Sequence, residues 1–484
     1  MASDGRCGWA ELPPGIIAQV ASCLPCNEVT CNIRLVNKAT AAQLNGPEHT
    51  VIRLSQPVPQ HAFAAYWLAP GATRGLNLQR RQQLLCLAAA SGVVPNLEVA
   101  VAAAGCVPTY QVFAAAAASG HLDPCQWLHV YGCPLERDSD EGPNDTVLAA
   151  AAGAGHLHIC EWLVTLGGAW GRDYVAHAVR AAARGGYPDL AGWLLQHFGE
   201  RARLIPAHVQ TSILVGTARG CDLVSLQQRV QREGWGASPE RAREDVMAAA
   251  AGSPTPDWAA KVEWLEAQGC PRTSVWVAPE AAARPDGADA LARLTWLRGR
   301  GYAMNGLAVD AAARAGHEAA LRFLLTAAPA SHVNPGSIVY WICNGGHLAA
   351  LRMLVDRGWA IDVRGSFLTL ARGGHQHALT WLAETLANAA AGATAVEALQ
   401  DTYLFAEAAA SGNVEMLAWL RERGCPWDAS AFGRAVESGC EVALEWLAER
   451  GCPMPPEVSH GIAFPAAPPP TLSESGWSPE TMGP

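Results

Sequence analysis

Residues 439–453 read GCEVALEWLAERGCP, and the same pattern returns at 412–426 as GNVEMLAWLRERGCP and at 120–134 as GHLDPCQWLHVYGCP. Each copy of such a pattern must build the same small unit and bury its apolar face against the next, so the repeat constrains the fold more than composition does. Clear copies begin at Gly120, Gly155, Gly346, Gly412 and Gly439, with Trp127, Trp162, Met353, Trp419 and Trp446 at the seventh position. Looser copies place Trp193, Trp264, Trp296, Phe323 and Trp381 there, and a degenerate one, ARGCDLVSLQQRVQREG, lacks the aromatic. Anchors lie 27 to 38 residues apart, the period of helical solenoids.

Each unit shares one grammar. An Ala-rich stretch such as VFAAAAASG or AEAAASG favours helix and close helix packing, and it ends at Gly. The second stretch carries apolar residues at helical spacing: Val442, Ala443, Trp446 and Leu447 share a face, with Glu441, Glu445 and Glu449 elsewhere. A closing Gly (Gly132, Gly269, Gly358, Gly424, Gly451) suits the left-handed residue after a helix, and a Pro next but one blocks continuation. The unit reads helix, tight turn, helix, loop. The expected fold is all-α, a solenoid of about eleven to twelve helix-turn-helix repeats over residues 85–454.

Around the array, residues 1–9 read as a flexible N-terminus, 10–45 as a small helical module, 46–84 as a linker with VIRL extended, and 455–484 as a disordered Pro-rich tail. The first residues are acidic where a signal peptide is basic, and no window is apolar enough for a membrane span. A net charge of −10 without a basic run argues against a nucleic-acid partner. Fifteen cysteines in a chain with core material of its own read as reduced thiols, so the expected location is the cytoplasm, with the nucleus as alternative.

Chemistry-bearing residues are mostly absorbed by the repeat. Cys23 and Cys26 form a CxxC, but no second pair exists to complete a zinc site. His121, His156, His317, His347 and His375 each follow a unit's Gly, one per unit, too far apart to share a metal; they are expected to bond unpaired N–H groups at the second helix's start. The Cys of each Gly-Cys-Pro (Cys133, Cys270, Cys425, Cys452) has no base recurring beside it and reads as an apolar filler. The seventh-position aromatics are expected in the core. No phosphate loop, nucleophile elbow or metal-protease motif occurs, so neither enzyme activity nor a cofactor is expected.

GHLHICEWLVTLGG, GHLAALRMLVDRG and GNVEMLAWLRERG resemble the second helix of the ankyrin repeat; the family's T-P-L-H is absent from the first helix, and several units are shorter than the family's. Residues 12–44 resemble an F-box through Leu12, Pro13, Ile16, Ile17, Val20, Ser22, Leu24, Pro25, Arg34, Val36 and Lys38, with Gly15 and Thr40 departing from its pattern. The first resemblance implies a scaffold that binds proteins. The second implies that Leu12, Pro13, Ile16, Ile17, Val20, Leu24, Pro25, Arg34, Val36 and Lys38 dock the adaptor, and through it the cullin, of an SCF-type ubiquitin ligase whose substrates the repeats select. Similar ankyrin-rich chains are grouped with sphingomyelin phosphodiesterase-related families, which makes a hydrolase a third alternative. Aromatics in the loops between units are the expected protein contacts: Trp170, Trp235, Trp359 and Trp427, with Arg172, Asp173, Asp362 and Asp428.

Overall fold

Every unit of the computed structural model is a pair of antiparallel helices that turn at the glycine the sequence repeats. The structure describes residues 9, 12–136, 146–166, 172–202, 206–233, 239–387 and 392–455. The last unit shows the construction. Asp428 caps helix Ala429–Ser438 by accepting from the Ser430 N–H, and Gly439 (φ 66°) makes the left-handed turn. Helix Glu441–Glu449 then returns, burying Ala443, Leu444, Trp446 and Leu447, and Gly451 (φ 74°) ends it. Twelve such pairs follow one another from Leu78 to Glu449, with an extra helix, Gly392–Leu399, between the tenth and eleventh. Among the described residues the regular elements are all helices, accompanied by one isolated bridge between Glu136 and Thr146.

The two helices of a pair play different parts. The first helices pack on one another in unbroken succession, and alanines let their backbones approach. Ala88, Ala89, Ala116, Ala117, Ala151 and Ala152 are essentially without exposure. Second helices touch their neighbours less. A layer of closely spaced helices bonded to a layer of wider ones must curve, with the close layer inside. The curvature completes a turn. Arg74, leading into the first inner helix, pairs with Glu441 and Glu445 of the last unit, and Arg81 Nη2 lies 3.1 Å from Glu441 Oε1. Asn77 Nδ2 donates to Ser411 O (2.9 Å) and Val442 N to Arg74 O (3.3 Å). The residues that meet are the start of helix Leu78–Ala90 and the glycine turns of the last two units. The first unit therefore stacks one helix length along the axis from the last, as in a single superhelical turn.

The anchor of each second helix is the Leu after the aromatic, not the aromatic itself. Leu128, Leu163, Leu265, Leu324, Leu420 and Leu447 have no exposure, each contributing about 2–3 kcal/mol of burial. Trp127, Trp162, Trp264, Trp296, Phe323, Trp381 and Trp419 stay half-buried, and only Trp446 is closed off. One residue is about 100° of helix turn, so position eight faces the inner helix while position seven faces the neighbouring unit. Trp162 accordingly meets Phe113 (6.3 Å), and Arg352 sits 5.4 Å over Trp381.

At the N-terminal end, helices Pro14–Ser22, Cys26–Cys31 and Lys38–Gln43 gather around their own small core of Ile17, Ala21, Val29 and Leu44. The stretch expected as a linker is built into the fold. Fully buried Asn27 donates to Arg53 O (2.8 Å) and Pro57 O (3.0 Å) and accepts from Arg53 N (2.9 Å). Helix Gln60–Trp67 packs on Val94–Ala104, placing Val58 and Phe63 in the array's core. Most of the expected Pro-rich tail lies outside the described residues.

Candidate binding surface

The concave inner layer differs from the rest of the chain in charge. Counting Lys and Arg against Asp and Glu, the twelve inner helices are net positive and the twelve outer ones net negative, within a total of −10. Inner-helix arginines gather near the glycine turns: Arg184, Arg219, Arg314 and Arg372, with Arg180 one helical turn earlier. Tyr340 and Tyr403 add exposed rings to the same helices. Where the superhelix closes, Asn77, Arg80, Asn344, Arg372, His375 and Asn413 are among the residues lining a polar cavity of about 840 Å³.

The repeated histidines serve the stacking of units. His156, His317, His347 and His375 do not accept from the start of their own helix, as expected from sequence. Each presents Nε2 to a carbonyl at the end of the preceding inner helix: Ala118 O (3.1 Å), Arg284 O (2.6 Å), Arg314 O (3.1 Å) and Asn344 O (3.0 Å). The ring needs space over the preceding unit's turn. A Cβ on Gly346, already left-handed at φ 65°, would collide with His375. The Gly-Cys-Pro thiols work similarly, Cys133 Sγ lying 3.2 Å from Thr109 O. Burial pushes the Cys133, Cys270 and Cys425 thiols up to about 12, so they remain protonated and unreactive.

The loop residues singled out in the sequence separate into three groups. Trp170 and Trp235 lie outside the described residues, and Arg172 and Asp173 open helix Arg172–Arg184. Asp362 and Asp428 are helix caps, accepting from the N–H groups of Gly365 and Ser430. Trp359 and Trp427 remain half-buried; Trp427 rests edge-on to Phe405 (5.4 Å) with Arg421 4.0 Å above it. In the N-terminal module, Ile17 is internal, Leu12, Val20, Leu24 and Arg34 are half-buried, and Pro13, Ile16, Pro25, Val36 and Lys38 are exposed. Cys23 ends the first helix and Cys26 begins the second. Among the described residues no three His, Cys, Asp or Glu side chains gather as a metal site, and no helix is long and apolar enough to cross a membrane.

The inner-face arginines carry no signal residue by residue along the sequence. Charge summed by helix type would have found them, as would the i, i+4 spacing of Arg180 and Arg184.

No protein-family model matches the chain, and no curated protein matches it. Solved structures similar to it are pentatricopeptide repeat proteins, themselves helical repeat chains. The protein PPR10 in complex with an 18-nt psaJ RNA element is 13% identical, covering 93% of this chain and 86% of its own, at a TM-score of 0.21. The same protein from maize is 11% identical, covering 91% and 82%, at 0.24. At such identities and scores the likeness carries no argument; the helical repeat fold is what this chain's own paired helices show. The expected exclusion of a nucleic-acid partner does not stand beside a neighbour whose structure is a complex with an RNA element. The net charge of −10 does not speak against such a partner, because the inner helices are net positive while the outer helices and the other segments carry the negative balance.

Proposed function

We propose that this chain is a non-catalytic binding scaffold whose concave inner face holds a protein partner. The observation that carries this reading is the segregation of charge, which gives a net acidic chain a cationic interior walled by rigid, Ala-packed helices. The half-exposed rings of Trp359 and Trp427 extend the proposed contact to the loop edge. A photo-crosslinking amino acid at Tyr340 or Gln111, both exposed on inner helices, is expected to capture the same protein, while one at Gln126 on an outer helix captures none. Capture from Gln126 alone, or turnover of sphingomyelin by the pure protein with Mg²⁺, would overturn the proposal.

A second reading, in which the N-terminal module docks a ubiquitin-ligase adaptor, is favoured by the exposure of Ile16, Leu35 and Val36 on a module of only three short helices. Adaptor and cullin are then expected to co-purify with the chain and to be lost with Ile16→Asp/Val36→Asp. Their absence from the wild-type preparation ends this reading and leaves the scaffold untouched.

A further inference from the structure

Neighbouring inner helices repeat one side-chain contact. An arginine two residues before the turn position reaches the residue three earlier in register on the next inner helix. Arg314 lies 4.0 Å over the Trp341 ring, and Arg372 Nε donates to Glu407 Oε2 (2.7 Å). Arg184 holds this register on helix Arg172–Arg184. The next inner helix, Pro206–Gly220, buries Ile213, Leu214, Thr217 and Ala218 where its predecessor buries Ala178, Val179, Ala182 and Ala183. That match puts Gly216 opposite Arg184, in the place of Trp341 and Glu407. Gly216 has no side chain to offer, and a Cβ there would collide with Ala183.

Two further cations crowd the vacancy. Arg180 lies one turn before Arg184 on the same helix, and Arg219 sits at Arg184's register on the neighbouring one. Glu280 pairs with Arg219; Arg180 and Arg184 make no ion pair among the described residues. Crowding by the surrounding helices, then the charges of Arg219 and Arg180, push the Arg184 guanidinium below its ordinary value, and Glu280 only partly opposes them. Elsewhere on the inner helices, Arg372 and Arg434 are matched by Glu407, and Arg314 is covered by the Trp341 ring.

We propose that Arg180, Arg184 and Arg219 form an oxyanion site that grips a phosphate or carboxylate group on a peptide segment held in the concave face. The inference rests on the scaffold reading above. Guanidinium forks match both oxyanions, and an anion seated between them relieves the repulsion among the three. The cluster is local, confined to two adjoining units, which suits one or two oxyanions better than a polymer charged at every residue.

The test uses the full chain at fixed ionic strength and three fluorescein-labelled probes: a Gly-Ser peptide with two phosphoserines, its unphosphorylated form, and single-stranded octauridine. Saturable anisotropy is expected with the phosphopeptide and not with its unphosphorylated form, and tighter with the phosphopeptide than with octauridine. In Arg180→Gln/Arg184→Gln it weakens by about ten-fold or more, one charge-assisted hydrogen bond or better. Arg352→Gln, on an outer helix, leaves it unchanged, and circular dichroism melting verifies that both variants fold. Equal binding by wild type and the double variant overturns the site. Octauridine bound more tightly, through the same arginines, overturns its assignment to a peptide. Failure here, with inner-face crosslinks still forming, removes the anion site and keeps the scaffold; loss of the crosslinks removes the scaffold itself.

Discussion

Two groups of units close the same gap with different residues. In the third, eighth, ninth and tenth units, the carbonyls at the end of the preceding inner helix take a hydrogen bond from a histidine on the turn. The sixth and seventh units have no histidine there. Instead Lys261 and Arg293, three residues before the aromatic on the second helix, reach back from below. Lys261 Nζ donates to Ala218 O (3.0 Å) and Ser253 Oγ (2.8 Å); Arg293 Nη1 donates to Ala251 O and Ser253 O, both 2.8 Å. Other units carry an apolar residue at that register, as at Ile159, Leu190, Ala320, Ala350 and Met416. What the architecture requires is a donor at a fixed place, because the last carbonyls of a helix lack partners within it. The cost differs. The histidines stay partly open to solvent, whereas Lys261 and Arg293 are 0% and 3% exposed, and burial lowers the pKa of both although Asp257 and Asp289 oppose it.

The eleventh unit is the opposite case, with an anion between inner helices. Glu407 is fully buried between Arg372 and Arg434. Truncating both arginines to Ala leaves that carboxylate unpaired and is expected to cost about 3–5 kcal/mol in urea unfolding, the largest effect here. Lys261→Ala, which removes a buried donor and opens a cavity, should cost about 3 kcal/mol. His347→Ala should cost about 1 kcal/mol, because water can reach Arg314 O once the half-exposed ring is gone. Equal losses at Lys261 and His347 would break the comparison between the two caps.

Acid sharpens it. Burial works against the charge of Glu407, but hydrogen bonds from Arg372 and Tyr403 and the two guanidinium charges outweigh it, holding the carboxyl below the usual range. Its stabilisation is complete above the unfolded value of about 4.3 and is lost as pH falls through the lower folded value. Melting temperatures recorded from pH 6 downward should fall more steeply in the wild type than in Glu407→Gln. The smallest effect on stability belongs to the closure of the turn, which rests on partly exposed ion pairs. Arg74→Glu, at the half-exposed end of these pairs, should cost about 1 kcal/mol or less in thermal melting, yet increase the radius of gyration seen by small-angle X-ray scattering.

Much of the fold was legible because it is periodic. The Gly at the turn, the Gly after the second helix and the apolar spacing between them return in each clear copy, and local chemistry accounts for them. The histidines were recognised as structural, but their acceptors lie in the preceding unit, which the spacing of one unit does not describe. The aromatics were placed one position too deep, because periodicity assigns a face and not which neighbour that face meets. Residues 46–84 read as a linker because the buried amides that hold them lie outside the stretch, Asn27 in the module and Asn96 in the array.

The sequence by itself determined an all-helical array of paired helices, its approximate unit count and the places where each helix stops, since those follow from contacts within about thirty residues, the repeat length itself. Only the tertiary structure decided that Gly216 lies opposite Arg184, that inner and outer layers segregate charge, and that Arg74 meets Glu445 at a sequence separation of 371. These depend on how the units stack and how far the stack curves. Small packing differences accumulate over twelve units, and no single repeat records them.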